Sequence, residues 1–190
     1  MGMIKKYIVM LLILCFSIVM SACGRGDNKE MQELYALHES EERSLLVKYM
    51  YDNCGYGTIT DFYSIVIEVY NDATVEVYGI FSEVSQEELC RETFHIEKSA
   101  LEAITTHISE SHVDEKESVE SDSMACDGTS SEIYFYDSEG KEYNQLGGYM
   151  IIDEDFGKLE RLIGEAVTKE NIEQVRENVA KRVEEIYYEE

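Results

Sequence analysis

The period of the apolar positions changes several times along the chain, and each change marks an element. Met31, Leu34, Tyr35, His38, Leu45, Leu46 and Tyr49 recur at roughly helical spacing, interrupted by the charged residues 41–43, which predicts one long helix or a broken pair. Residues 62–70 and 74–81 are dense in Val, Ile and Tyr and are separated by Asn71-Asp72-Ala73, the pattern of a β-hairpin. Ala73 stands where such a turn favours glycine, so the turn type stays open. Ser85-Gln86-Glu87-Glu88 resembles a helix capping box, and residues 92–96 read as a further short strand. A second box, Ser99-Ala100-Leu101-Glu102, opens a helix with Leu101, Ile104 and Ile108 on one face.

Residues 109–125 are polar, acidic and aperiodic, which predicts an exposed loop and the most mobile segment of the chain. Residues 132–136 and 141–146 flank Asp137-Ser138-Glu139-Gly140 as a second hairpin, ended by Gly147-Gly148. A helix then begins at Asp153 and turns Phe156, Leu159, Ile163 and Ala166 to one side, its acidic first turn matching the helix dipole. Ile172, Val175, Val179, Val183 and Ile186 step by three and four toward the C-terminus, a narrow β-branched stripe that suits core closure, with Glu177 and Lys181 as an i,i+4 pair. Residues 62–108 and 132–167 both run strand, turn, strand, connection, helix, a degenerate internal repeat. The expected fold is α+β: an antiparallel sheet from two hairpin-helix units with helices on one face, plus N- and C-terminal amphipathic helices.

Ahead of these elements, Lys5 and Lys6 precede an almost wholly apolar run over residues 7–19, the layout of a secretory signal and short for a spanning helix of about 20 residues. Met20-Ser21-Ala22-Cys23 resembles the bacterial lipobox, with Met20 where that family most often has leucine. The resemblance covers residues 1–23 only. It implies removal of residues 1–22, transfer of a diacylglyceryl group to the Cys23 thiol, and anchoring through palmitate-type chains to the extracytoplasmic face of the cell membrane. Residues 23–28 then form a lipidated tether and residues 29–190 a single extracytoplasmic domain.

Loss of residues 1–22, which hold Lys5 and Lys6 and no carboxylate, leaves 14 Lys plus Arg against 40 Asp plus Glu, a net charge of −26. Nucleic acid, bound by cationic side chains, is an unsuitable partner, and anionic head groups repel such a particle, so the acyl anchor is its main membrane contact. Cys15 leaves with the signal and Cys23 is lipidated, so Cys54, Cys90 and Cys126 remain in a compartment where disulfides persist. Cys54-Gly55-Tyr56-Gly57 and Cys126-Asp127-Gly128-Thr129 both lie in turns ahead of strand-like runs, which favours a Cys54–Cys126 bond with Cys90 free and buried. The other two pairings stay open at this level.

No catalytic or metal constellation emerges. His107 and His112 are five apart and share no helical face, so His95, His107, His112 and Asp114 form no zinc pattern. Asp137, Glu139, Asp153, Glu154 and Asp155 match no calcium loop and read better as turn and cap residues. Nucleophile elbow, metalloprotease helix, phosphate loop and dinucleotide turn are all missing, and no cofactor is implied. What remains is 14 tyrosines, of which Tyr63, Tyr70, Tyr78, Tyr134, Tyr136 and Tyr143 fall on expected strands. Tyrosine gives contact area at low entropy cost, although strand propensity explains the same enrichment. The chain therefore reads as a lipid-anchored, non-catalytic binding or accessory module whose tyrosine-bearing face, opposite the helices, meets a protein or small ligand. An extracytoplasmic hydrolase or cell-wall enzyme without a recognisable motif is the alternative.

Overall fold

A computed structural model describes residues 43–54, 62–81, 88–122 and 129–188. Within them lie β1 (Leu45–Cys54), β2 (Phe62–Tyr70), β3 (Thr74–Ile80), β4 (Glu88–His95), α1 (Lys98–Ser111), β5 (Ser130–Tyr136), β6 (Glu142–Tyr149), α2 (Glu154–Val167) and α3 (Lys169–Tyr188). A 3-10 turn spans Val113–Glu115. The strands form one antiparallel sheet ordered β4-β3-β2-β1-β5-β6, and the architecture is α+β.

Leu45, Leu46 and Tyr49, expected on a helix, lie instead in β1 at the centre of the sheet. A short apolar run fits either period, and backbone pairing on both sides, with β2 and with β5, decides for the strand. Its alternation sends Val47, Tyr49 and Tyr51 to one face and Lys48, Met50 and Asp52 to the other. Residues 31–38 of the expected helix lie outside the described residues.

The β2–β3 hairpin forms where the pattern puts it. Ala73 adopts the left-handed geometry that favours glycine (φ +63°), while Asp72 Oδ1 accepts from the Thr74 amide at 2.9 Å. Glu88, assigned to a capping box from sequence, instead begins β4, which continues to His95 as a third strand; residues 85–87 lie outside the described residues. The repeat therefore breaks down, with three strands before α1, two before α2, and β1 joining the halves. α1 starts at Lys98 after Glu97 with no side-chain cap bond, so Ser99 does not cap it, although Ile104 is buried and Leu101 and Ile108 are half-buried as their spacing requires. β6 runs through Gly147-Gly148 rather than ending there. A Cβ at 147 would meet Glu132 Cγ at 2.6 Å, and glycine lets β6 lie against β5.

The stretch expected to be a mobile loop is tied down as far as residue 122. Val113 is fully buried, Lys116 Nζ donates to Asp153 (2.8 Å) and Asp155 (3.0 Å), and Ser121 bridges Ile151. Glu115, Glu117, Ser118, Glu120 and Asp122 are nonetheless exposed, as the polar composition predicts. Asp153 also caps α2 by accepting from the Phe156 amide.

α2 and α3 seal one face of the sheet, and α1 packs against α2. Val47, Ile65, Ile67, Val69, Val75, Val77, Ile133 and Phe135 meet Phe156, Leu159 and Ile163 of α2 and Val175, Val179 and Val183 of α3, all at most 1% exposed. The C-terminal stripe thus closes the core. Its tightest seat is at Gly79 on β3, where an added Cβ would come within 2.4 Å of Val179 Cγ1. Gly79→Ala is expected to cost about 1–3 kcal/mol by overpacking, and less when combined with Val179→Ala, which frees the space. Urea unfolding of the two single variants and the double variant checks this; strictly additive losses would contradict the fit.

Candidate functional site

The helix-free face of the sheet has an unusual demand built into its register. Glu68 on β2 stands directly opposite Glu76 on β3, and like charges so placed repel. Arginines resolve the conflict. Arg91, projecting from β4, reaches Glu68 at 2.9 Å, Glu88 at 2.6 Å, and Glu76; Arg43, just before β1, also pairs with Glu76. Glu68, only 9% exposed, further accepts from the hydroxyls of Tyr70 and Tyr78, each at 2.9 Å. Burial of this carboxylate is tolerated because several donors converge on it.

Cations and rings are also layered. The Arg43 guanidinium lies 3.7 Å from the Tyr70 ring centroid, Arg91 lies 3.9 Å from that of Tyr78, and Lys48 Nζ lies 3.9 Å from that of Tyr134. Tyr134 donates to Glu132 on its own strand. Burial raises the pKa of Tyr70, Tyr78 and Tyr134 and neighbouring carboxylates add to the effect, while Tyr136 is pushed up to about 12 by burial, Glu142 and Glu68. These phenols stay neutral hydrogen-bonding groups at physiological pH. Tyr78, 4% exposed, serves the lattice from within, and the half-buried Tyr70, Tyr134 and Tyr136 with the surrounding charges form the accessible surface.

The structure divides the six tyrosines singled out from sequence. Tyr70, Tyr78, Tyr134 and Tyr136 share the helix-free face. Tyr63 points the other way, 6% exposed in the core with its hydroxyl 3.4 Å from the Arg176 carbonyl it donates to. Tyr143 sits at the β6 edge, donating to Asp114 at 2.6 Å, its ring centroid 6.3 Å from that of Phe135. Strand parity could have separated Tyr63 from Tyr70, since residues seven apart on one strand face opposite ways. Sequence reasoning missed Arg43, Lys48, Glu68, Glu76 and Arg91. Their clearest signal is Glu68, the one charge inside the apolar strand Phe62–Tyr70.

Other candidates fall elsewhere. His107 Nε2 donates to the Asp155 carbonyl at 2.9 Å inside the α1–α2 contact, His112 is the left-handed cap of α1, and His95 ends β4. Among the described residues no group of three or more His, Cys, Asp or Glu could hold a metal ion. Asp137 accepts from the Glu139 and Lys141 amides in its turn. Cys90 is a free, half-buried thiol at an irregularity of β4. Cys23 and Cys126 lie outside the described residues, and Cys54 ends β1.

The chain matches no protein-family model and no curated protein. The face must therefore be interpreted from its own chemistry.

Burial raises the Glu76 carboxyl, but hydrogen bonds from Arg43 and Arg91 outweigh it and hold the group below its ordinary 4.5. A carboxylate depressed in the folded state adds stability above its unfolded pKa and loses it as pH falls through the folded one. Glu76→Gln should therefore be less stable than wild type by about 1–2 kcal/mol near pH 7, with the difference shrinking toward pH 3. Denaturant titrations at both pH values check this, and a pH-independent difference would contradict it.

Proposed function

We propose that the chain is a lipid-anchored extracytoplasmic binding module whose helix-free sheet face meets the basic surface of a protein partner. The observation that carries this reading is the face itself: four tyrosines and a lattice of charges on the side of the sheet opposite α2 and α3. Asp52, Glu68, Glu76, Glu88 and Glu132 there outnumber Arg43, Lys48 and Arg91, in a mature chain of net charge −26 on the lipobox reading. Complementary charge steers association and selects partners. Tyr134 and Tyr136 lie beside one another on this face and make suitable anchors because their hydroxyls and rings bind without much loss of rotamer freedom.

The double variant Tyr134→Ala/Tyr136→Ala tests the face. Retention of partner protein from the native membrane by the intact lipoprotein should drop while the thermal midpoint of the folded chain moves little. Unchanged retention would sink the assignment.

For the anchor, the lipobox resemblance supports Cys23 as the lipidated residue; among the described residues no helix is long and apolar enough to cross a membrane. Cys23→Ser should leave the precursor uncleaved or release the protein, and mass spectrometry of wild type should find diacylglyceryl at the new N-terminus. An unmodified N-terminus contradicts the anchor.

An oxidising compartment also bears on the cysteines. β1 and β5 are antiparallel neighbours, so Cys54 at the end of β1 lies at the same end of the sheet as Ser130, which Cys126 precedes by four positions in sequence. Peptide mapping without reductant should recover a Cys54–Cys126 linked pair with Cys90 free; a linkage through Cys90 would overturn the pairing.

A further inference from the structure

We infer that the outer edge of β6 accepts an extended, Lys- or Arg-bearing segment of another protein as an added strand. The inference goes beyond the proposed face, since it concerns backbone groups at the sheet edge. Inward bonding alternates along β6: the Met150 amide donates to the Thr129 carbonyl at 3.1 Å, and the pairs Gly148–Ser131, Leu146–Ile133 and Asn144–Phe135 continue that phase. Gln145 and Gly147 therefore turn their amides and carbonyls outward. Both residues are exposed, and among the described residues no backbone hydrogen bond reaches them from outside the sheet. Such unpaired rows are templates for another strand.

The two edges of the sheet differ in how they are guarded. β4 carries Glu88, Arg91 and Glu92, is kinked at Cys90 (φ +55°), and is held toward α3 by Gln174 and Asn178 bonding Glu92. Charge and irregularity of that kind block edge pairing. From 142 to 149 β6 has one charged residue, Glu142, no Pro and no Lys, and a Gly-Gly pair that lets another backbone come close. Among the described residues no strand pairs beyond Glu142–Tyr149 on that side; the bridge from Ser121 to Ile151 lies past the end of β6.

Charge names the occupant. Glu142, Glu132 beside Gly147, and Asp114 at the Tyr143 hydroxyl flank this edge and outnumber Lys141 in the turn before it, while Lys116 is committed to Asp153 and Asp155. A second copy of so acidic a chain would bring like charges together. A segment with alternating cationic side chains satisfies both the backbone and the carboxylates.

The test uses the full mature lipoprotein in detergent with two probes of about ten residues, an alternating Thr-Lys peptide and its Thr-Glu counterpart. Saturable binding of Thr-Lys with slowed amide exchange in the peptide covering Glu142–Tyr149 is expected. Gln145→Pro deletes one outward amide and spares the bonds to β5, so affinity should fall about ten-fold or more, as it should for Glu142→Lys. Equal binding of Thr-Glu, no Thr-Lys binding at about millimolar concentration, slowed exchange at β4 instead, or unchanged affinity of a folded Gln145→Pro would each overturn the inference. Should that variant fail to fold, Glu142→Lys and the exchange map decide. Because Tyr134 and Tyr136 are intact throughout, failure here is distinct from failure of the sheet face.

Discussion

β1 is the strand on which the rest of the sheet depends. It is paired along both sides, to β2 over its full length and to β5 over Val47–Tyr51, and without it β2-β3-β4 and β5-β6 would be separate ribbons. A two-stranded ribbon is marginal in water, whereas six strands with one face buried under helices retain a core. The alternation within β1 also sorts the two faces of the sheet. Val47, Tyr49 and Tyr51 join the apolar side beneath α2 and α3, and Lys48, Met50 and Asp52 join the helix-free side.

On that second side the dominant constraint is electrostatic. Glu68 and Glu76 face one another across β2 and β3, and their repulsion is turned into cohesion by Arg91 and Arg43, whose guanidinium groups also cover the Tyr78 and Tyr70 rings. Arginine suits this role because its planar fork bonds carboxylates while its face stacks on an aromatic ring. The lattice is self-satisfied, so on the proposed reading a partner would have to offer equivalent donors to exchange into it. This requirement favours a basic protein surface over a neutral small ligand.

Much of the α+β pattern was legible because it rests on local periods. The β2–β3 hairpin, the Phe156-Leu159-Ile163 face and the Val175-Val179-Val183 stripe appear where alternation and helical spacing put them. β1 was hidden because Leu45, Leu46 and Tyr49 satisfy a helical spacing as well, and only pairing with distant strands excludes it. Gly147 and Gly148 looked like a stop, although Glu132 on the neighbouring strand is what requires a glycine inside β6. Residues 113–122 looked loose because their partners, Asp153, Asp155 and Ile151, lie more than thirty positions away for the first two and comparably far for the third. The tyrosine face was half legible: parity separates Tyr63 from Tyr70, but the arginines that organise the face reach it from β4 and from two residues before β1.

Site-specific photocrosslinking discriminates recognition on the helix-free face, as proposed, from recognition on the helices. A photoreactive phenylalanine analogue at Tyr136, compared with the same group at exposed Lys158 on α2 and Lys181 on α3, can be activated in the intact protein inside its own cells. A discrete protein adduct is expected from position 136 and none from the helix positions. Adducts from the helices alone would place recognition on the opposite side of the molecule and contradict the proposal.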